Sequence, residues 1–207
     1  EPSYNVAPTN DVYAVLSDGT TRRMDAFHWG LVPLWAKDPK IGSKMINARA
    51  ETLADKNAFK SAFKRRRCLI PADGFYEWKK DPEAPPKAKK QPYFVQRSDG
   101  EPYAFAGLWE VWKGPNRDAE PLRSCTIITT SPNEVMERIH DRMPVILPPS
   151  AWDTWLDREV DDLDLLGTLL VPSPSQIITM RPVSTEVNNV RNKGEHLIDE
   201  IPGEDSA

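Results

Sequence analysis

Hydrophobic and polar residues alternate along much of the chain with a period of two, the spacing of a strand that is buried on one face. Val12–Ser17 and Arg22–Trp29 flank an Asp-Gly turn, and so do Pro92–Arg97 and Pro102–Trp112. Each pair predicts a β-hairpin, because Asp-Gly readily adopts the turn that joins two antiparallel strands. Shorter candidate strands are Cys68–Ile70, Phe75–Trp78, Ser124–Thr130, Pro144–Leu147 and Gln176–Pro182.

Helical patterns are fewer and shorter. Asp55–Arg66 has the apolar spacing of an amphipathic helix. Ser131–Glu134 predicts a capping box that opens a helix, and Ser150 repeats this signal ahead of Trp155. The 20 prolines favour short strands and ordered loops. We therefore predict one α+β domain over residues 1–207, with a mainly antiparallel, barrel-like sheet and a few short helices.

The net charge of −4 hides an uneven distribution. Between Thr21 and Lys90 the sequence has 17 Lys and Arg against 8 Asp and Glu, whereas Ala151–Gly167 and Glu195–Ala207 are acidic. A local excess of positive charge suits the phosphate backbone of a nucleic acid. A solvated protein face has the same composition, and on charge alone we favour that interpretation.

Motifs that the sequence lacks argue against several classes of protein. The longest apolar run, Val12–Leu16, has 5 residues, whereas roughly 20 are needed to cross a bilayer. Two cysteines without a CxxC motif and 3 widely spaced histidines argue against a disulfide scaffold and a metal site. Glycine-rich nucleotide-binding motifs are missing as well. We expect no membrane span, no metal, no cofactor and a cytoplasmic location.

The first candidate site segment is Ile46–Thr52. In an extended chain Asn47, Arg49 and Glu51 point to one face, which places an amide beside a guanidinium. Such a pair suits a polar substrate next to a phosphate. A surface strand with its polar residues toward solvent explains the same pattern equally well.

The second segment is Pro71–Trp78, in which Glu77 stands between Tyr76 and Trp78. A carboxylate crowded by aromatic rings loses hydration, and its pKa rises toward the range of a general acid–base group. An exposed glutamate on an edge strand is an equally good interpretation.

The third segment is Ile139–Pro144. His140 would close a helix, because the chain has to leave helical geometry before Pro144, and a histidine in that place usually caps the helix. Asp141 and Arg142 beside it favour a second interpretation, a proton-transfer group next to an anion clamp.

Six motifs follow one another along almost the whole chain. They are Tyr4–Thr9, Trp29–Trp35, Asn47–Thr52, Arg67–Trp78, Ile139–Pro144, and Pro182–Ser184 with Val187–Asn192. In this order they resemble the SOS-response-associated peptidase family, also called abasic-site processing proteins. The number of ordered motifs makes the resemblance specific.

The resemblance implies capture of abasic sites in single-stranded DNA during the response to DNA damage. In the family, the α-amine and thiol of an N-terminal cysteine condense with the aldehyde of the ring-opened sugar, through a Schiff base, to a thiazolidine. Self-processing peptidase activity and lyase activity at abasic sites accompany this chemistry. We accordingly expect an SOS-response enzyme that binds single-stranded DNA without a cofactor, as a monomer, in the cytoplasm or at the nucleoid of a bacterium.

The family pattern implies three catalytic positions in this sequence. Asn47 would orient the amine and the adduct, and Glu77 would move protons during imine formation and ring closure. His140 would bind and protonate the opened sugar oxygen.

Further positions are implied as DNA contacts. They are Asn5, Pro8, Trp35, Arg49, Trp78, Thr129 and Arg142. Arg49 and Arg142 would hold the flanking phosphates, whereas Trp35 and the loop of Asn5 and Pro8 would stack on or wedge against unpaired bases.

The family's nucleophile lies outside this sequence. The cysteine opens a Met-Cys-Gly-Arg segment upstream of the Tyr-Asn-Val-Ala-Pro stretch, whereas the sequence here starts at Glu1. We expect the nucleophile to precede Glu1. A chain without that segment would be a single-stranded DNA binder with an idle acid–base pair.

Two other functions stay open. One is a cysteine hydrolase in which Cys68 or Cys125 uses His140 as its base. Both cysteines, however, lie in apolar strand-like segments, which are typical of inert core thiols. The other is a non-covalent single-strand binder with strongly salt-dependent affinity and no preference for abasic DNA.

Overall fold

A computed structural model describes residues 2–79, 83, 85, 90–117 and 119–202. The strands are β1 (Asp11–Ser17), β2 (Arg22–Trp29), β3 (Asn47–Arg49), β4 (Arg67–Ala72), β5 (Gly74–Lys79), β6 (Gln91–Arg97), β7 (Tyr103–Trp112), β8 (Leu122–Thr130), β9 (Met143–Pro144) and β10 (Ile178–Pro182). The α-helices are α1 (Lys60–Arg65), α2 (Pro149–Leu156) and α3 (Leu163–Thr168). Short 3₁₀ turns are Pro39–Lys44, Ala50–Thr52, Met136–Arg138, Ser175–Ile177, Thr185–Asn188 and Glu195–Ile198.

Five strands close into a small barrel. They pair antiparallel in the order β2-β1-β4-β7-β8, and β8 returns to β2 through a short parallel pairing. Beyond the barrel, β3 pairs with one side of β8 and β9 with the other. This geometry brings Asn47–Arg49 and Met143–Pro144 to the same end of β8. The predicted α+β class with a mainly antiparallel, barrel-like sheet is confirmed.

The first predicted hairpin is confirmed and the second is wrong. β1 and β2 pair along their whole length, from Asp11 with His28 to Ser17 with Arg22. β6 and β7 both form, but β6 pairs with β5 and β10 in a separate three-stranded sheet. β7 has no edge left for β6, because β4 and β8 occupy both of its sides. The turn at Gly100, with a φ of +78°, therefore leads from one sheet to the other.

The helix predictions need correction at their boundaries. Of the predicted Asp55–Arg66, only α1 is α-helical, and the residues before it form turns. Ser131 caps no α-helix, since Asn133 accepts from the Met136 amide at 3.0 Å and only a 3₁₀ turn follows. α2 begins at Pro149, without a side-chain cap. No helix in the described ranges is long and apolar enough to span a membrane.

Two apolar clusters, one on each face of the barrel sheet, hold the fold together. One includes Phe27, Cys68 and Cys125 of the barrel and extends to Val95 and Ile178 of the three-stranded sheet. The other packs β4 and β7 against the helices through Phe63 and Trp155. The division follows from the period of two, because successive residues of a strand face opposite sides.

A buried arginine ties the helices to the barrel. Arg67 opens β4 and is 4% exposed. Its guanidinium donates to backbone carbonyls that follow α1 and α2 or lie within them. The acceptors are Phe63, Lys64, Trp155, Asp157 and Val160. These carbonyls need donors because helix ends leave them without intrahelical partners.

Candidate active site

Glu77 of β5 and His140 face each other across the gap between the two sheets. His140 Nε2 lies 3.7 Å from Glu77 Oε1, and the two side chains are 36% and 21% exposed. His140 follows the 3₁₀ turn Met136–Arg138, on the segment that leads into β9. A separation slightly beyond hydrogen-bond length is common in an acid–base pair that tightens when substrate binds.

Burial raises the pKa of the Glu77 carboxyl, and the nearby Trp78 amide and His140 oppose this shift in part. The Trp78 N–H donates to Glu77 Oε1 at 3.0 Å. The direction confirms the expectation for Glu77. The flanking rings are not the cause that the sequence suggested, because alternation along β5 turns Tyr76 and Trp78 to the opposite face.

Nδ1, the other ring nitrogen of His140, bonds to the backbone of Arg142, two residues further along the chain. Nδ1 lies 3.1 Å from the Arg142 amide nitrogen and 3.2 Å from the Arg142 carbonyl oxygen. In the tautomer in which Nδ1 accepts from the amide, the ring proton is on Nε2, the nitrogen that faces Glu77. Nδ1 also lies 3.3 Å from Asp141 Oδ1. The ring therefore holds the loop of Arg142 and makes no bond to the preceding turn, as the helix-cap interpretation would require.

Arg142 is fixed from two sides. Its Nη1 and Nη2 donate to the Glu51 oxygens at 2.8 and 3.0 Å, and Nη2 also donates to the Thr129 carbonyl at 2.6 Å. The Arg142 guanidinium lowers the pKa of Glu51 below its usual value. Arg142 Nε is buried and has no hydrogen-bond partner in the part of the chain that the structure describes. The ion pair links the segment of His140 to the turn after β3.

β3 presents its polar side chains to solvent. Asn47 and Arg49 are exposed and Ala48 between them is buried, so the predicted alternation holds for this pair. Arg49 lies opposite the buried Thr129 on β8. Neither Asn47 nor Arg49 makes a side-chain hydrogen bond to another described residue, which leaves the amide and the guanidinium available to a ligand. Glu51, by contrast, leaves the strand and binds Arg142.

A model of the SOS response associated peptidase family matches residues 1–190. The chain belongs to this family. It is 47% identical to the abasic site processing protein YoqW of Bacillus subtilis, over 96% of this chain and 86% of that protein. The abasic site processing protein HMCES of Xenopus tropicalis is 37% identical, over 93% of this chain and 64% of that protein. A crystal structure from Bacteroides thetaiotaomicron has the same fold, with a TM-score of 0.82 and 23% identity over 94% of this chain and 82% of that one.

Of the positions taken from the family pattern, Asn5 is buried rather than presented to a ligand. Its Nδ2 donates to the carbonyls of Val187 and Asn189 at 2.9 and 3.3 Å. Pro8 and Trp35 are exposed, and Trp35 keeps 57% of its surface in solvent. Asn5, Pro8 and Trp35 form no side-chain hydrogen bond or ion pair with Glu77 or His140 in the described part of the chain. The contacts that the structure does form join Glu77 to His140, and Arg142 to Glu51 and Thr129.

Gly30 fixes the start of the loop that carries Trp35. Its φ is +142°, and a Cβ there would lie 2.6 Å from the Gly42 carbonyl oxygen. Only glycine fits this backbone conformation and close approach. The loop is thereby held against the 3₁₀ turn Pro39–Lys44.

The family motif Val187–Asn192 has a structural role that sequence reasoning missed. Asn188 Oδ1 accepts from Trp78 Nε1 at 2.7 Å, and the ammonium of Lys193, the residue after the motif, donates to the Asn5 carbonyl. The Tyr76 hydroxyl donates to the Tyr4 carbonyl at 2.6 Å. These contacts hold the Tyr4–Thr9 segment beside β5, and no pattern within the motif itself indicates them.

The two cysteines lie in the barrel core. Both are fully buried, and burial raises the pKa of Cys125 to about 12 and that of Cys68 well above its usual value. A thiol in this state is a poor nucleophile. The structure therefore argues against a cysteine hydrolase that uses either of them. No cluster of three or more potential metal ligands occurs among the described residues.

Proposed function

We propose that this protein processes abasic sites in single-stranded DNA by forming a covalent DNA–protein cross-link. Relatives at 47% and 37% identity are named for abasic site processing. The observation that carries the proposal is the Glu77–His140 pair, with its 3.7 Å separation. The Arg142–Glu51 ion pair ties the segment of His140 to the turn after β3, the strand that exposes Asn47 and Arg49. Condensation of an amine with an aldehyde needs an acid–base pair such as Glu77 and His140, because protons are both taken up and released.

The nucleophile is the cysteine that the family carries upstream of Tyr4–Thr9. Its α-amine attacks C1′ of the opened sugar, and the carbinolamine loses its hydroxyl as water to leave a Schiff base. The thiol then adds to the same carbon while its proton passes to the nitrogen, which closes the thiazolidine with a net release of one water. In the thiazolidine, C1′ is held by a C–N bond and a C–S bond within one five-membered ring, so the adduct resists hydrolysis better than an imine.

Each residue of the pair has a separate task. Protonated Glu77 supplies the proton with which the carbinolamine hydroxyl leaves, and its carboxylate then accepts the thiol proton. The raised pKa of Glu77 brings both forms toward neutral pH. His140 Nε2 protonates the sugar oxygen as the ring opens, and Asn47 orients the attacking amine.

DNA is held by groups around this pair. Arg49 and Arg142 bind phosphates on either side of the abasic sugar, and Pro8, Trp35 and Trp78 contact unpaired bases. Thr129 acts through Arg142, to which its carbonyl is bonded. Asn5 contributes indirectly, because its hydrogen bonds to the carbonyls of Val187 and Asn189 hold the segment that carries Pro8.

Two accompanying activities belong to the same proposal. Lyase activity follows from the Schiff base, since loss of the C2′ proton from it expels the 3′ phosphate. Self-processing exposes the cysteine by removing the residue before it. We place the protein in the cytoplasm, at the nucleoid of a bacterium, where its DNA substrate lies.

The test uses the complete gene product with its native N-terminus and an end-labelled single strand that carries one abasic site. We expect Glu77→Gln to slow the appearance of a shifted band on a denaturing gel, with single-strand affinity near that of the wild type. Glu134→Gln, at an exposed glutamate, is the matched control. Equal losses of binding and cross-linking in Glu77→Gln would refute an acid–base role for Glu77.

A further inference from the structure

A pocket opens beside the site, between the 3₁₀ turn Ala50–Thr52 and α3. Its walls are mostly apolar and include Ala54, Phe63, Leu163 and Leu170. Glu51 and Thr130 contribute its polar side chains. A mostly apolar lining with two polar side chains is typical of a pocket that binds a small heterocycle.

The two polar groups have different hydrogen-bonding capacity. Each Glu51 oxygen accepts one hydrogen from Arg142, at 2.8 and 3.0 Å, and keeps a further lone pair. Thr130 is 4% exposed, and its hydroxyl has no hydrogen-bond partner among the residues described. The pocket thus contains the Glu51 carboxylate, which can only accept hydrogen bonds, and the Thr130 hydroxyl, which is free to donate one.

We propose that this pocket binds cytosine or adenine from the nucleotide next to the abasic site. On the Watson–Crick edge of these bases an amino group stands beside an unprotonated ring nitrogen. The amino group donates to Glu51, and the Thr130 hydroxyl donates to the ring nitrogen. Thymine presents a carbonyl oxygen in the place of the amino group, and this oxygen would face the Glu51 carboxylate.

The charges around the pocket orient the nucleotide. Arg142 lies one hydrogen bond from Glu51 on one side. On the other side, Asp162, the N-cap of α3, and Asp164 flank Leu163 of the pocket wall along the chain. A phosphate is attracted to the first side and repelled from the second. The strand therefore stays along Arg49 and Arg142 while the base turns inward, as in enzymes that read an unstacked base in a pocket.

This inference rests on the proposed function, since the strand is brought to the pocket by the abasic-site contacts. A glycine allows the pocket to be filled selectively. Gly167 lies in α3, lines the pocket, and would place a Cβ with no atom within 4 Å. Gly167→Phe puts a ring into that space. Leu165→Phe, at a 45% exposed position of the same helix that does not line the pocket, is the matched control.

The assay measures the affinity of the complete gene product for single strands with a stable abasic analogue. The neighbouring nucleotide, tested on the 5′ and on the 3′ side, is cytosine, adenine, thymine or a spacer without a base. We expect the wild type to prefer cytosine and adenine over thymine by about tenfold on one side, the effect of one well-paired base. Gly167→Phe removes that preference and leaves the affinity for the spacer strand unchanged, and Leu165→Phe retains both.

A second variant keeps the test independent of any effect of the phenylalanine on folding. Thr130→Val preserves shape and removes only the hydroxyl, so it should weaken binding of the cytosine strand and leave that of the thymine strand unchanged. Equal affinities of the wild type for all four neighbours would overturn the proposal while leaving the proposed function intact. Wild type that binds none of the strands would instead overturn the proposed function.

Discussion

Arg49 and Arg142 differ in how their charge is compensated, and this difference predicts different effects of salt on DNA binding. Arg142 is paired with both oxygens of Glu51, at 2.8 and 3.0 Å. Arg49 is exposed and has no ion pair with another described residue. Arg49 also acts on Glu51 through space, but more weakly than Arg142, whose hydrogen bonds are the main cause of the lowered pKa of Glu51. A phosphate that binds Arg49 therefore meets a nearly uncompensated charge, whereas one that binds Arg142 shares that charge with Glu51.

The expected magnitudes follow from counterion release. Each phosphate of a single strand that a protein neutralises adds about 0.7 to the slope of log affinity against log salt. Arg49→Gln should lower the slope by about 0.7, which changes the affinity ratio between about 50 and 200 mM salt by roughly 2.6-fold. Arg142→Gln should lower the slope by less than half as much. Glu51→Gln should raise it, since it frees the charge of Arg142.

Fluorescence anisotropy titration of a labelled single strand, repeated at several salt concentrations, gives these slopes directly. The thermal stability of each variant is the control, because losing the half-exposed Arg142–Glu51 pair costs about 1 kcal/mol or less. Equal slope changes for Arg49→Gln and Arg142→Gln, or no change for Glu51→Gln, would refute the argument that Glu51 compensates Arg142.

Three further predictions concern the free energy of unfolding, measured by urea denaturation. Arg67→Met should lose about 3–5 kcal/mol, because five carbonyls lose a buried cationic donor, whereas exposed Arg65→Met should lose under about 1 kcal/mol. Asn5→Ala should lose about 1–3 kcal/mol, since two carbonyls lose their partner. The raised pKa of Glu77 means that the folded state holds its proton longer than the unfolded state, so stability falls as pH rises above about 4.5. Glu77→Gln should reduce that fall, and an unchanged pH profile would contradict the buried position of this carboxyl.

The alternation of apolar residues predicted most strands because it records which face of each strand is buried. It does not record which strands are neighbours. β6 and β7 have the sequence of a hairpin, with Asp99 and Gly100 in the turn, yet they belong to different sheets. Only the pairing of β7 with β4 and β8, which depends on the whole barrel, decides this.

The candidate site was predictable where its chemistry is local and hidden where it depends on distant contacts. The exposure of Arg49 follows from the alternation along β3. The sequence predicts the direction of the pKa of Glu77 but not its cause, because Tyr76 and Trp78 face away from the carboxyl that burial affects. The Arg142–Glu51 pair joins residues 91 positions apart, and Asn5 bonds to a carbonyl 182 positions away. No local pattern encodes such contacts, so the compensation of Arg142 and the burial of Asn5 appear only in the fold.

The central claim is covalent capture, and the mass of the product tests it most directly. The complete gene product is incubated with a single strand that carries one abasic site, and the mixture is analysed by intact mass spectrometry without a reducing agent. A thiazolidine predicts a species with the combined mass of protein and strand minus one water. A Schiff base has the same mass, so a second sample is treated with borohydride, which adds two hydrogens to a Schiff base and leaves a thiazolidine unchanged. We expect the same mass in both samples. Absence of the species, or a gain of two hydrogens after borohydride treatment, would contradict the account, because the product would then be at most a Schiff base.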